Sequence, residues 1–198
     1  MVHILFRNRA VLGILTLVGA AGLQAMTPAS QPMMRMKPVA VGEKAPGLSL
    51  ETLDGKKVEL TELVKSGPVV VVELRGWVGY QCPICTQQVN ELVTKAEEIK
   101  KGGTCVVLVY PGPKEGLMEH AKEFVAGKGL PEDYLFVVDP DMKFVNTWGL
   151  RWKKQGETAY PSTFVVDKEG TVKFAKTSTS HGGRASAAEI VKALTELK

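Results

Sequence analysis

The hydrophobic pattern of the chain alternates between short apolar runs and longer stretches with helical spacing. Residues 69–74 are rich in valine and follow a Gly-Pro pair, which predicts a buried strand. After Cys85, apolar residues recur every three or four positions as far as Ile99, which predicts a helix with one buried face. The first turn of this helix therefore lies just beyond the end of the strand.

The rest of the chain continues this alternation. The pattern predicts a hairpin turning at Asp54-Gly55, a short helix at 61–67, strands at 105–110 and 135–138, helices at 113–126 and 139–148, a hairpin across 168–170 and a last helix at 185–197. Strands that alternate with helices and end in a hairpin predict an α/β fold, with a central mixed β-sheet flanked by helices and an N-terminal β-hairpin.

The N-terminal region has the pattern of an export signal. Arg7 and Arg9 precede an uncharged apolar stretch, and small residues lead to Ala25, so residues 1–25 are predicted to be a signal peptide. Because Leu23-Gln24-Ala25 is an imperfect cleavage site, an uncleaved leader that tethers the chain to a membrane is the alternative. Residues 26–40 contain three prolines and no periodicity, which predicts a flexible linker before a folded domain at 41–198.

Composition fits one globular domain and argues against nucleic acid as a partner. The chain is 44% hydrophobic and 23% charged, and its formal net charge is +4. Without the two arginines of the leader the charge falls to +2, too little for an electrostatic nucleic-acid surface. An exported domain would work in the periplasm or another extracytoplasmic compartment, where a disulfide persists.

Cys82-Pro83-Ile84-Cys85 lies at the predicted junction between strand and helix. The unpaired N–H groups and positive dipole end of a helix N-terminus favour a thiolate, and two cysteines in one turn can close and reopen a small disulfide. A structural zinc site would need two further ligands, and haem attachment would need histidine where Thr86 stands. The pair is therefore interpreted as a redox site without a metal, with a purely structural staple as the alternative.

The chain from Lys44 onward resembles the thioredoxin-fold redoxins, a group that includes the alkyl hydroperoxide reductase/thiol-specific antioxidant (peroxiredoxin) family. The resemblance is carried by Lys44-Ala45-Pro46, by the turn at 53–56, by the approach to the cysteines and by the segment 160–170. It implies a thioredoxin-like fold. It also implies a thiol-dependent oxidoreductase or antioxidant activity.

Within this group the cysteine pair matches the thioredoxin-like reductants. There the first cysteine attacks, the second resolves, and a cis-proline facing the pair helps to hold the substrate. The resemblance therefore implies that Cys82 is the nucleophile and Cys85 the resolving residue of a reversible Cys82–Cys85 disulfide. It assigns substrate positioning to Pro161 and the adjoining Tyr160.

The peroxiredoxin pattern is matched less well. Cys85-Thr86 fits the peroxidatic Cys-Thr pair, but Cys82 stands in place of the threonine three residues before it. Val78 stands where that family has proline, and Pro161 stands near the place of its activating arginine. The residues favour a thioredoxin-like site on a redoxin scaffold.

The surroundings of the thiols lead to further expectations. Cys82 is expected to be exposed and modestly acidified by the helix terminus, and Cys85 to be more buried. Glu73 is a candidate proton acceptor for Cys85, the alternative being a solvent-facing carboxylate or an ion pair with Arg75. Cys105 opens a buried strand and is expected to pack as a small hydrophobic residue.

The function predicted from the sequence is an exported thiol-disulfide oxidoreductase. Its substrates would be protein disulfides, its electrons would come from an upstream thiol reductant, and it would need no bound cofactor. One alternative is a peroxiredoxin-like antioxidant peroxidase that reduces hydroperoxides. Another is a non-catalytic redoxin-fold binding module in which the two cysteines only staple the start of the helix.

Overall fold

The structure, a computed structural model, describes residues 34–197. Its strands are β1 (Ser49–Thr52), β2 (Lys57–Glu59), β3 (Val69–Glu73), β4 (Cys105–Gly112), β5 (Tyr134–Pro140), β6 (Ser162–Val166) and β7 (Val172–Thr177). Its helices are α1 (Leu60–Leu63), α2 (Pro83–Thr94), α3 (Ala96–Ile99), α4 (Leu117–Val125), α5 (Lys143–Thr147) and α6 (Ala187–Thr195).

The strands form one mixed sheet in the order β2-β1-β5-β4-β3-β6-β7. The central strands β3, β4 and β5 are parallel, and the outer pairings are antiparallel. The predicted N-terminal hairpin is present, with Leu50 opposite Val58 and Gly55 at a φ of 82° in the turn. The predicted α/β architecture is therefore confirmed.

The two faces of the sheet bury separate hydrophobic layers, because side chains alternate along each strand. Val70, Val72 and Leu74 belong to the layer that also contains Cys85 of α2. The odd-numbered valines of β3 belong to the opposite layer with Trp148. Because β3 is covered on both faces, it needs apolar residues at successive positions, which explains the run of valines.

Two helices begin four residues later than the sequence predicts. The helix expected from residue 113 begins at Leu117, because β4 continues to Gly112 and Gly116 has a φ of 70°. The helix expected from residue 139 begins at Lys143. The reason is that Asp139 still belongs to β5 and accepts the Phe144 and Val145 N–H groups at 3.0 Å each, as a cap would.

The chain packs against the domain before the predicted boundary at Val41. Val39 is buried, and the Arg35 N–H donates to the Asn146 carbonyl at 3.0 Å, so residues 35–40 follow the domain surface as an ordered segment. The predicted signal peptide, and the linker up to residue 33, lie outside the described residues. Within 34–197, no helix combines the length and apolar character needed to cross a membrane.

The parallel strands carry the two cysteines to one edge of the sheet. The chain leaves β3 through Gly76, whose φ is 69° and where a Cβ would collide with the Pro111 carbonyl. The Trp77 N–H donates to that same carbonyl at 3.0 Å. The loop 76–81 is thereby fixed at its start, and it delivers Cys82 to the beginning of α2.

Candidate active site

Cys82 is the N-cap residue of α2, and Cys85 lies in the first turn. Cys82 has extended backbone dihedrals, and its sulfur accepts the Cys85 N–H at 3.3 Å. Pro83 occupies the first helical position, where a missing N–H is tolerated. Both cysteines are present as free thiols, and their disulfide stays a prediction.

Both sulfurs are shielded from solvent, which corrects the expectation of an exposed nucleophile. Cys82 is 4% exposed and Cys85 is 1% exposed. The cover comes partly from the loop 178–185 between β7 and α6, because Arg184 of that loop reaches over the helix N-terminus. Its Nη2 lies 3.7 Å from the Cys82 sulfur and 3.3 Å from the Cys85 sulfur.

Neutral acceptors hold Arg184 in place. Its Nη1 donates to the Gln88 side-chain oxygen at 2.8 Å, and its Nε donates to the His181 carbonyl at 2.9 Å. Gln88 is itself buried, one helical turn beyond Cys85. Among residues 34–197 none of the hydrogen-bond partners of Arg184 is a carboxylate, so no direct ion pair neutralises the guanidinium beside the sulfurs.

The two thiols titrate in opposite directions. The hydrogen bond from the Cys85 thiol is the main cause that lowers the pKa of Cys82 to about 5, and the Cys85 N–H, Arg184 and Arg75 assist. Burial raises the pKa of Cys85 well above its ordinary value. The expected modest acidification of Cys82 is therefore an underestimate, because the hydrogen bond from the Cys85 thiol, together with Arg184 and Arg75, adds to the helix terminus.

Arg75 joins the site to two other loops. Its N–H donates to the Cys85 sulfur at 3.4 Å, and its Nε donates to Glu157 at 2.7 Å. The other Glu157 oxygen lies 2.9 Å from His181 Nε2. Tyr80 covers the Arg75 guanidinium, which lies 4.5 Å from the ring centre.

Glu73 neither faces solvent nor pairs with Arg75, the two alternatives to a role as proton acceptor. It is fully buried and its carboxyl oxygens make no hydrogen bond within the described residues, whereas Arg75 pairs with Glu157. The strand alternation directs Glu73 to the face opposite Cys85, so the structure does not place this predicted proton acceptor against that thiol. Burial, with Asp139 nearby, raises the pKa of Glu73 well above its usual value.

Tyr160 and Pro161 lie at the start of β6, next to the end of β3. The described residues contain no cis peptide bond, so the Tyr160–Pro161 bond is trans and the expected cis-proline is wrong. The trans form is the intrinsically favoured one for a bond to proline. Pro161 is buried, and its carbonyl accepts the Ser178 N–H at 2.9 Å, while Tyr160 stacks on Trp152 at 4.8 Å between ring centres.

Cys105 and Trp77 lie outside the sulfur cluster. Cys105 pairs with Val69 at the far end of β3, away from α2, and burial raises its pKa to about 11. Trp77 stacks on His120 at 3.5 Å between ring centres, so much of its surface is used in packing.

Comparison with known proteins identifies the group to which this arrangement belongs. The Redoxin family model matches residues 40–194, which is most of the chain. The chain belongs to the redoxin family. The resemblance expected from the sequence is confirmed.

Two kinds of relative are similar to this redoxin in sequence. It is 31% identical to "Peroxiredoxin Q, chloroplastic" of Gentiana triflora over 134 residues, which cover 68% of this chain and 57% of that protein. It is 27% identical over 169 residues to "Thiol-disulfide oxidoreductase ResA" of Bacillus thuringiensis (strain Al Hakam), covering 84% and 86%. The expected thiol-dependent oxidoreductase class agrees with both names, although the chain spans little more than half of the gentian protein.

Solved structures confirm the thioredoxin-like fold of this redoxin. Reduced Prx3 in complex with H2O2 from Vibrio vulnificus matches with a TM-score of 0.66 and 20% identity, covering 79% of this chain and 99% of that one. Peroxidoxin BcpB from Mycobacterium tuberculosis matches with a TM-score of 0.62 and 19% identity, covering 83% and 99%. At this identity the match establishes the fold alone.

Sequence reasoning missed several residues that surround the thiols in this redoxin. They are Arg75, Gln88, Glu157, His181 and Arg184. One signal was present for the last of them. Ser186 and Glu189 form a capping box that begins α6, and this spacing places Gly182-Gly183-Arg184 in the preceding connection. Nothing in the sequence indicates that this connection folds over the other helix.

Proposed function

We propose that this redoxin is a thiol-disulfide oxidoreductase in which Cys82 attacks and Cys85 resolves. The observation that carries the proposal is the asymmetry between two adjacent sulfurs. Both sulfurs accept hydrogen bonds and lie near Arg184, but Cys82 caps α2 and its pKa is lowered to about 5 by the Cys85 thiol, whereas burial raises the pKa of Cys85. A nucleophile paired with a nearby protonated thiol is the arrangement that two-step exchange requires.

The proposed reaction is balanced by the two cysteines alone. The Cys82 thiolate forms a bond to one sulfur of a substrate disulfide, the substrate S–S bond breaks, and the leaving thiolate takes up a proton. Cys85 then loses its proton and attacks the Cys82 sulfur, which releases the second substrate thiol and leaves a Cys82–Cys85 disulfide. The substrate gains two electrons, and an external thiol reductant must return them to the enzyme.

Substitution of each cysteine in turn tests this assignment. Cys82→Ser is expected to lower the turnover of a model disulfide by at least about 1,000-fold, since it removes the nucleophile. Cys85→Ser should instead accumulate a mixed disulfide on Cys82, which mass spectrometry detects. Cys105→Ser is the matched control, because Cys105 lies at the opposite end of its strand, and it should keep wild-type turnover.

The outcomes separate the proposal from a purely structural disulfide. If Cys82→Ser and Cys85→Ser lower only the free energy of unfolding, the pair is a staple and the protein is a non-catalytic binding module. If mixed disulfides accumulate on Cys85 in Cys82→Ser as readily as on Cys82 in Cys85→Ser, the assigned order of attack is wrong.

Reduction of hydroperoxides is a second candidate, favoured by the burial of Cys82. With 4% exposure beneath Arg184, the sulfur is more accessible to a small oxidant than to a protein disulfide. The thiolate would attack a peroxide oxygen, the O–O bond would break, and water or an alcohol would leave. Cys85 would then displace water from the Cys82 sulfenic acid to form the same disulfide.

The rate of reaction with hydrogen peroxide decides between the two substrates. The fully reduced protein is mixed with peroxide, and the reaction is followed by tryptophan fluorescence. A rate typical of an unassisted low-pKa thiol supports disulfide exchange, and a rate orders of magnitude higher supports the peroxidase.

Substrate positioning by Tyr160 and Pro161 belongs to the same proposal. Both lie beside the end of β3, and Tyr160 is partly exposed on its stack with Trp152. Tyr160→Ala is expected to raise KM for a protein disulfide while leaving the peroxide reaction unchanged. An equal loss with both substrates would contradict a positioning role.

Export to an extracytoplasmic compartment also belongs to the proposal. It rests on the sequence of residues 1–25, with its two arginines, apolar stretch and small residues before Ala25. Mass spectrometry of the protein recovered from its natural source tests it. A mature N-terminus at Met26 supports cleavage, and an intact leader in the membrane fraction supports an uncleaved tether. An intact leader in the cytoplasm contradicts export.

A further inference from the structure

The loop that carries Arg184 is anchored at both ends, but its middle contains two glycines. At one end the Ser178 N–H donates to the Pro161 carbonyl at 2.9 Å. At the other end Ser186 caps α6. Between them, the Ser178 hydroxyl donates to the Ser180 carbonyl at 2.9 Å and to the Gly182 carbonyl, and the backbone then passes through Gly182 and Gly183 to Arg184. The position of Arg184 therefore depends on contacts made by the middle of the loop.

His181 supplies such a contact. Its Nε2 lies 2.9 Å from one oxygen of Glu157, and the edge of its ring packs against Trp152 at 5.2 Å between ring centres. Its carbonyl oxygen accepts the Arg184 Nε–H at 2.9 Å. The same residue thus binds a neighbouring loop through its side chain and holds the guanidinium through its backbone.

Glu157 is in turn held by Arg75, which is buried near the end of β3. Its second oxygen accepts from Arg75 Nε at 2.7 Å, and Arg75 is 1% exposed directly after β3. The Thr158 hydroxyl donates to the Arg75 carbonyl, which fixes the same loop again. Glu157 therefore connects the buried strand end to the loop above the thiols.

The distribution of charge supports the same connection. Glu157 pairs with Arg75 and His181, while Arg184 has only neutral acceptors and the two sulfurs among its partners in residues 34–197. A carboxylate paired with Arg184 would compete with a thiolate for it. In this arrangement the carboxylate positions the loop without neutralising the cation that faces Cys82.

We propose that Glu157 and His181 are positioning residues, which hold Arg184 against the sulfurs of Cys82 and Cys85. The inference rests on the proposed role of Cys82 as the reacting thiolate. It adds that the loop 151–160 controls the reactivity of this thiolate. The control passes through the hydrogen bond between Glu157 and His181, in which neither catalytic cysteine takes part.

Variants of His181 test the inference in the reduced full-length protein. The readout is the pKa of Cys82, measured from the ultraviolet absorbance of the thiolate as pH is varied. His181→Ala is expected to raise that pKa by about one pH unit and to slow alkylation of Cys82 up to about tenfold below pH 5, where the thiolate is the minor form in both proteins. His181→Gln is expected to restore the wild-type titration, since its amide nitrogen can donate to Glu157 in place of Nε2.

A double variant shows whether His181 acts through Arg184. If it does, His181→Ala adds almost nothing to the Cys82 pKa in an Arg184→Gln background, because the cation to be positioned is already absent. His120→Ala is the matched control. His120 pairs with Glu123 at 3.1 Å on α4 and contacts neither Glu157 nor Arg184, so the Cys82 titration should be unchanged.

The outcomes distinguish this inference from the proposed function. If the wild-type Cys82 titrates low and His181→Ala leaves it unchanged, the positioning role is wrong and the proposed function stands. A shift of equal size in the Arg184→Gln background also overturns the inference. If no thiol of the wild type titrates below its ordinary range, both the reacting thiolate and the inference fail.

Discussion

Two weak acids near the end of β3 show opposite behaviour although both are buried. Cys82 is 4% exposed and has a pKa lowered to about 5. Glu73 is completely buried, and its pKa is raised well above the usual value. Burial alone would weaken both acids, so the difference between them must come from the groups that face each one.

The facing groups differ in kind. The Cys82 sulfur is surrounded by a thiol, a backbone N–H and the Arg184 guanidinium, all of which stabilise a negative charge. The Glu73 oxygens have no hydrogen-bond donor among the described residues, and Asp139 adds a second acid nearby. The groups around Cys82 stabilise its anion, whereas around Glu73 burial and Asp139 outweigh the opposing effect of Arg184 and favour the neutral carboxyl group.

The largest expected effect is a difference in reactivity between the two active-site cysteines. At neutral pH Cys82 should be alkylated more than roughly 100-fold faster than Cys85, with a midpoint near pH 5. Cys105, with a pKa of about 11, should also react slowly. Peptide mapping after timed alkylation measures this, and the unfolded protein, in which all three should react alike, is the control. Faster labelling of Cys85 would reverse the assignment.

The next effect concerns the unfolding of Glu73→Gln. Above its ordinary pKa of 4.5 Glu73 ionises in the unfolded state but not in the folded state, so the wild type loses stability as pH rises. The variant removes this loss. Its advantage in the free energy of unfolding should grow by up to about 1.4 kcal/mol for each pH unit above that value.

Denaturant titrations at several pH values measure this difference. Asp139 titrates in both proteins, so the comparison isolates Glu73 to a first approximation. A difference that does not change with pH would mean that Glu73 is ionised in the folded protein, and the contrast with Cys82 would disappear.

A smaller effect is expected from Arg184→Gln. Loss of the guanidinium should raise the pKa of Cys82 by about one pH unit, leaving the hydrogen bonds from Cys85 and the charge of Arg75 to account for the remaining shift. Arg35→Gln is the matched control, because Arg35 pairs with Glu43 outside the site. If the two variants titrate alike, the sulfur contacts of Arg184 do not influence the thiolate.

The smallest expected effect is that of Asp139→Ala, which tests the neighbour of Glu73. The change removes two hydrogen bonds to the start of α5 and should cost about 1 kcal/mol of stability at neutral pH. The reaction of Cys82 should not change, because Asp139 and α5 pack on the opposite face of the sheet. A clear loss of Cys82 reactivity would show that the two faces are coupled.

Much of the fold could be predicted because its signals are local. The valine run of β3, the helical spacing of α2 and the turn at Asp54-Gly55 each lie within a few residues of one another. Helix starts were less accurate, since the first residue of α5 depends on how far β5 continues. The burial of Val39 could not be predicted either, because an extended segment without periodicity gives no sign that it packs against the domain.

The candidate site also has features that could be predicted from local sequence and features that could not. The position of Cys82 and Cys85 at a strand-to-helix junction could be predicted, because junction and motif are contiguous. The exposure of Cys82, the trans bond before Pro161 and the burial of Glu73 could not. Each depends on what another part of the chain places beside it.

By itself, the sequence determined the strand and helix pattern, the redox pair at the start of α2 and the family to which the chain belongs. The tertiary structure decided which groups surround the two thiols and how deeply both are buried. Arg184 lies 102 residues after Cys82, and only the packing of α6 and its preceding loop brings the guanidinium to 3.7 Å from the sulfur. Electrostatic interactions act through distance in space, so their effect on a pKa could not be deduced from positions along the chain.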